Sequence, residues 1–169
     1  MKKTILLLLL SLITNVSFSQ SQEEKQAIEF LNTHLEKDTL KYGTNFNGDL
    51  KFDKEKINYH MNIKTYHPLD GEKLVMEIDH SIKFSRADIK DYFTEVIEVD
   101  KEKGYYEVFA QVNLIKRLPM DYYSKMYTDK EGTQEILEVR KVQISSHKKL
   151  KKENINEYIK ALELLFKVL

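Results

Sequence analysis

Residues 74–84 run LVMEIDHSIKF. Side chains on an extended chain point alternately to opposite faces, so Leu74, Met76, Ile78, His80, Ile82 and Phe84 share one side. Glu77, Asp79, Ser81 and Lys83 share the other with Val75. One apolar face and one wet face on so long a strand is the signature of an antiparallel sheet covered on a single side.

The same alternation recurs on both flanks. Ile57, Tyr59, Met61 and Ile63 interleave with Asn58, His60, Asn62 and Lys64. Pro68-Leu69-Asp70-Gly71 then turns the chain into the 74–84 strand. Downstream, Tyr92 to Val99 predicts a strand, Asp100 to Gly104 a loop of hairpin length, and Tyr106, Val108, Ala110, Val112 and Leu114 the inner face of the returning strand. Leu50 and Phe52 suggest a short strand after the turn chemistry of Thr44 to Asp49. A polar loop is expected from Arg117 to Gly132. Ile136, Leu137, Val139, Val142 and Ile144 mark a last strand, and the change of apolar parity between Ile136 and Leu137 suggests a bulge.

Helices bracket these strands. Ser21-Gln22-Glu23-Glu24 fits a capping box, and Ala27, Ile28, Leu31 and Leu35 follow at helical spacing. At the other end Ile155, Ile159, Leu162, Phe166 and Leu169 recur at three and four residues, with Tyr158, Ala161 and Leu165 widening the stripe. The fold class is therefore α+β: an N-terminal helix, a curved antiparallel sheet or barrel of about six or seven strands, and a C-terminal packing helix.

Two segments carry a resemblance. In Phe84-Ser85-Arg86-Ala87-Asp88-Ile89 a strand ends in an apolar residue and a Ser/Asp turn leads to the next strand. Asn156 to Leu165 is similar to a helix that plugs one end of a barrel. In this order of elements the chain resembles small exported bacterial proteins with a pleckstrin-homology-like barrel, which implies a closed barrel here. The resemblance does not carry lipid-headgroup binding, because the matching loop, Pro68 to Lys73, has only Lys64 and Lys73 nearby.

Export is the second inference. Met1-Lys2-Lys3, the apolar run Ile5 to Leu10 with Leu12 and Ile13, and the small residues of Ser17-Phe18-Ser19 match a secretory signal peptide. Residues 1–19 are expected to be removed, leaving 20–169 as one globular domain in the periplasm or outside the cell. The apolar run is too short to span a bilayer, which takes about 20 residues. The chain has no Cys, which excludes disulfides, thiolate metal sites and a Cys nucleophile. Removing Lys2 and Lys3 from 27 basic residues leaves 25 against 27 acidic, a net charge of −2. Nucleic-acid binding needs a strong basic excess and is not expected.

Catalytic chemistry finds little support. The five His are His34, His60, His67, His80 and His147, and none has metal-ligand spacing. His80 stands out because it falls on the apolar face of its strand. It is either a general base at a barrel mouth or a partly buried ring held by structural partners. Ser85, Ser145 and Ser146 lack a Gly-X-Ser-X-Gly elbow, and Gly is too scarce for a phosphate-cradling loop. Glu95, Glu98 and Asp100 read as a solvated edge or turn. No cofactor is expected.

Binding is better supported. Met120 to Tyr127 is rich in Tyr and Met, side chains favoured at contact surfaces, and Tyr122, Tyr123, Met126 and Tyr127 are the candidate binding residues; the alternative is that this loop packs over one barrel end and covers core. The basic run His147 to Lys152 could meet an anionic surface, although charge runs are usually solvation. The expected function is an exported, non-catalytic domain that binds a protein, a cell-envelope component or a small apolar ligand. A hydrolase-type site around His80 is one alternative. A structural or assembly protein acting through a long sheet edge without Lys is another.

Overall fold

The computed structural model describes residues 22–35, 44–53, 56–67, 69–146 and 149–167. The export signal expected in residues 1–19, the expected Ser21 cap, Pro68, His147, Lys148 and Leu169 lie outside them. The elements are α1 (Gln22–Leu35), β1 (Thr44–Asp53), β2 (Lys56–His67), β3 (Asp70–Ser85), a single 3-10 turn (Arg86–Asp88), β4 (Ile89–Asp100), β5 (Tyr105–Met126), β6 (Thr133–Ser145), β7 (Leu150–Lys151) and α2 (Lys152–Phe166). This is an α+β fold in which two helices flank a curved, open antiparallel sheet of seven strands.

Strand order follows the chain from β1 to β2 to β3, then passes to β5. The 22-residue β5 organises the sheet. Its first half pairs with β4, from Tyr105↔Asp100 to Leu114↔Ile89. Its second half pairs with β3, from Met120↔Ile82 to Met126↔Met76. β6 runs along the other side of both halves, and β7 joins at Tyr105 and Tyr106. The register with β6 jumps between Asn113 and Leu118, so Leu114 to Arg117 bulge out and bend the strand. This bend lets one strand serve two differently oriented halves of the sheet.

The closed pleckstrin-homology-like barrel is thereby ruled out. Closure requires the first and last strands to pair, yet among the described residues β1 pairs only with β2, and β4 and β6 pair only with β5. The helices fill the place where closing strands would lie. They pack on each other, α1 also against β1 and α2 against β4, β5 and β7.

The core sits under these helices. Leu31 and Leu35 of α1 and Tyr158, Leu162, Leu165 and Phe166 of α2 are buried against Leu50, Ile57, Tyr59, Phe84, Val108, Ala110, Val112 and Ile144. Each fully buried large apolar side chain contributes about 1.5–3 kcal/mol by leaving water, so the helix–sheet contact is the main source of stability. Cover ends part-way along β3. Ile82 and Phe84 are buried, whereas Leu74, Met76, Ile78 and His80 on the same face are only half-buried. The outer halves of β2, β3, β5 and β6 thus project beyond the helices.

Three local expectations are corrected. Thr44 to Asp49, read as a turn, is the first half of β1, because cross-strand pairs such as Phe46↔Ile63 and Gly48↔Met61 override its turn propensity. Arg117 to Gly132, read as a loop, stays in β5 as far as Met126. Pro119 is tolerated because it falls just beyond the last β3 pair, Ile82↔Met120, where β5 has a neighbour only on its β6 side. The bulge expected at Ile136 and Leu137 of β6 is instead on β5, and Ile136 faces solvent.

Candidate functional site

The sheet beyond the helices carries a cleft of about 320 Å³. Its floor is the inner face of β2 and β3, with Tyr59, Met61, Ile63, His80 and Ile82, joined by Met120 of β5. Cross-strand pairing explains the grouping: Tyr59↔Ile82, Met61↔His80 and Ile82↔Met120 lie directly opposite one another. The other wall comes from β6, with Lys141, Gln143 and Ser145 around Val142.

His80 brings an imidazole into a floor otherwise made of Tyr59 and aliphatic side chains. It is half-buried, and its ring stands edge-on to Tyr59 at 6.0 Å between centroids. Neither ring nitrogen has a hydrogen-bond partner among the described residues. Burial pushes its pKa below the ordinary 6.5, with Asp79 pulling the other way and His60 adding to the depression. The imidazole is therefore neutral at pH 7 and offers one donor and one acceptor to the cleft.

The carboxylate that a general base would need is not on this side. Asp79 points to the opposite face, where its Oδ2 meets His60 Nε2 at 2.9 Å and accepts from Asn62 Nδ2 at 3.0 Å. Asn62 also donates to Glu77 at 3.1 Å, and Lys64 approaches Glu77 at 3.4 Å. This polar ladder borders a second, larger groove of about 620 Å³ that includes Asp49, Lys51, His60 and Asp121. Its charges are largely matched internally, Lys51 with Asp49 at 2.5 Å and His60 with Asp79. The smaller cleft holds the unmatched polar ring.

The remaining candidates separate. Tyr122, Tyr123 and Met126 are on β5 rather than a loop, and Tyr127 follows directly. Tyr122 lies opposite His80, and Met126 opposite Met76, on the cleft's face beyond Met120. Tyr123 lies opposite Asp79 on the other face and packs over Gly132, where a Cβ would fall 2.3 Å from its ring. Tyr127 donates its backbone N–H to Val75 at 2.8 Å and carries the Lys73 ammonium over its ring at 4.0 Å. Strand alternation thus divides the Tyr/Met stretch between two faces, while Met120 alone reaches the cleft lining.

Ser146 has a backbone role. It is fully buried, its Oγ accepts the Val108 N–H at 2.8 Å and its own N–H donates to Val108 O at 2.8 Å. Ser85 Oγ and N–H both donate to Asp88 Oδ2 at 2.8 Å, which fixes the turn between β3 and β4. The basic run is broken up by structure: Leu150 and Lys151 form β7, Lys152 begins α2 and Lys149 lies over the Tyr105 ring at 5.7 Å. Among the described residues no three metal-ligating side chains converge, and no helix is long and apolar enough to cross a membrane. The sequence signal for the cleft was present in the odd-numbered run of β2 and the position of His80. The contribution of Lys141, Gln143 and Ser145 was hidden, because it depends on the bend in β5. No protein-family model matches the chain, and no curated protein or solved structure matches it.

Proposed function

We propose that this chain is a non-catalytic binding domain whose cleft between β2–β3 and β6 takes a small apolar ligand with an anionic or hydrogen-bonding head. One observation carries the reading: His80 is neutral and unpartnered at the floor of an apolar cleft, with Lys141 on the rim. The imidazole is half-buried with no protein partner among the described residues, so a ligand that hydrogen-bonds it from the apolar cleft replaces solvent with a fixed partner. Lys141 has no ion pair among the described residues and favours a carboxylate or phosphate head. The volume is at the lower end of the roughly 300–1,000 Å³ typical of ligand sites, which suits a short acyl chain. Tyr122 and Met126 extend the same face for a longer ligand or a partner's surface. The export signal in residues 1–19 supports an encounter outside the cytoplasm, with a cell-envelope component as the source.

Fluorescence of cis-parinaric acid on titration with the protein tests this. Saturable enhancement, displaced by decanoate and weakened by Lys141→Glu and by Ile63→Lys, is the expected result. Decanol should be much less sensitive to Lys141→Glu than decanoate. Absence of enhancement, or enhancement unchanged in both variants, overturns the reading.

A further inference from the structure

The β6 wall of the cleft is a free sheet edge. Ser146 donates its N–H to Val108 O at 2.8 Å, in the same register as the pairs from Phe109↔Ser145 to Asn113↔Lys141. Hydrogen-bonded and non-hydrogen-bonded pairs alternate along an antiparallel ladder. The residues bonded to β5 are therefore Ser146, Ile144 and Val142. Lys141, Gln143 and Ser145 fall in the other phase, so their N–H and C=O groups point off the side of β6 away from β5. Those three residues, with Val142, are the ones that wall the cleft. Among the described residues no strand pairs with that side, and the helices pack on β1, β4, β5 and β7 instead.

Side chains follow the same phase. Residues opposite one another across a ladder share a face. A strand laid antiparallel on this edge puts its residue opposite Val142 on the inner face, toward Tyr59, Met61 and Ile82 of the floor. Its residue opposite Ile144 takes the same face. Residues opposite Lys141, Gln143 and Ser145 turn outward with them, where Lys141 and Gln143 are exposed. The antiparallel direction brings the C-terminal end of the added strand to Lys141, a cation with no ion pair among the described residues.

We infer that the occupant of the cleft is a short extended peptide lying antiparallel to β6, with apolar residues opposite Val142 and Ile144 and a carboxylate opposite Lys141. The inference rests on the cleft being a ligand site and adds the class of ligand. The edge from Lys141 to Ser145 offers backbone donors and acceptors over about 14 Å, at about 3.4 Å per residue. A plain acyl chain leaves them to water. A peptide pairs with them, main-chain bonds giving affinity and alternate side chains giving selectivity. Opposite charges facing each other across a strand pair add to this at Lys141. A second copy of this chain fits poorly, because its β6 brings β5 with it and a cleft of about 320 Å³ has no room for a paired strand.

The test uses the pentapeptide Thr-Val-Thr-Val-Glu, labelled with fluorescein at its N-terminus and read by anisotropy against the full chain. Saturable binding is expected, weakened by Ile63→Lys, and the unlabelled peptide should displace cis-parinaric acid. N-methylation of its third and fifth residues, whose N–H groups face β6, should weaken binding by about tenfold or more. N-methylation of its second and fourth residues, whose N–H groups face away, should leave binding within about threefold. Lys141→Glu should turn the preference at the last residue from Glu to Lys, with circular dichroism unchanged. Equal loss from the two N-methylated peptides overturns the proposal, because the contact then lacks the phase of a strand pair. Peptide binding that leaves cis-parinaric acid in place also overturns it, since the peptide then lies elsewhere. Binding of cis-parinaric acid without the peptide overturns this inference and leaves the cleft reading standing, whereas failure of both overturns both. Sedimentation as a dimer that the peptide dissociates gives the edge to a second copy and overturns it as well.

Discussion

Arg86 reaches from the turn between β3 and β4 to Glu24 on α1, and the same guanidinium holds the end of α2. Its Nη2 pairs with Glu24 Oε1 and donates to Leu164 O at 2.9 Å, while Nε donates to Leu165 O at 3.1 Å. The last carbonyls of a helix have no partner within it, and α2 has no basic residue in its own last turn. Arg86 supplies that cation from another element, so the order β3–turn–β4 fixes how the two helices lie on the sheet. The side chains are 24% and 16% exposed, so the pair is only partly screened.

Replacing Arg86 by Ala leaves Glu24 without this cation and two carbonyls without this donor. We expect a loss of about 2–4 kcal/mol, read as a lower urea midpoint. Arg86→Lys should recover less than half, because an ammonium lacks the planar fork that serves three acceptors at once. Full recovery by Lys would show that charge alone matters.

Tyr158 places the opposite kind of group in the core. It is fully buried, and its hydroxyl has no hydrogen-bond partner among the described residues. Burial, with Tyr59 nearby, pushes its phenol far above the ordinary range. A buried unmatched hydroxyl costs free energy, so Tyr158→Phe should stabilise the domain by about 1 kcal/mol, while Tyr158→Ala should cost about 3–5 kcal/mol. Thermal melts of the two variants check the contrast, and a lower melting temperature for Phe would mean the hydroxyl has a partner in solution.

Period-2 and period-3.6 patterns made the element types legible. Ile57, Tyr59 and Met61 are buried in alternation, and Ala27, Ile28, Leu31 and Leu35 form the buried stripe of α1. What failed was long-range. Pro119 and its polar neighbours resemble a loop locally, and only the pairing of β5 with β6 makes them a strand. Barrel or open sheet depends on whether β1 finds a last partner, which no local pattern encodes. The site was legible to the same degree: His80 was singled out, while its facing wall came from residues more than 50 positions away in β6.

Gly48 lies against Leu35 at the end of α1. A Cβ there would fall 2.7 Å from Met61 Cε and 2.8 Å from Leu35 Cβ, both on buried side chains. Gly48→Ala should therefore destabilise by about 1–3 kcal/mol despite the better strand propensity of Ala. Met61→Val removes one of the two clashes, so the double variant should lose less than the sum of the single losses. A double-mutant cycle by urea denaturation measures that coupling, and strict additivity would place the strain elsewhere.

His80 gives the domain a pH dependence whose sign follows from its environment. Its folded pKa lies below the ordinary 6.5, so between the two values the unfolded chain holds more protons than the folded one. Stability should be level above about pH 6.5 and fall as pH drops through the window below it. The groups around the ring set this direction. Tyr59 and the apolar floor desolvate it and Lys141 shares its cleft, while Asp79 and His60 act from the other face. His80→Phe should flatten the acid slope. Urea midpoints from about pH 5 to pH 8 check this, and an acid slope that survives His80→Phe unchanged would assign it to another group. Ligand binding in the cleft should follow the same profile, weakening for a hydrogen-bond donor head as the imidazole gains its proton and loses its acceptor.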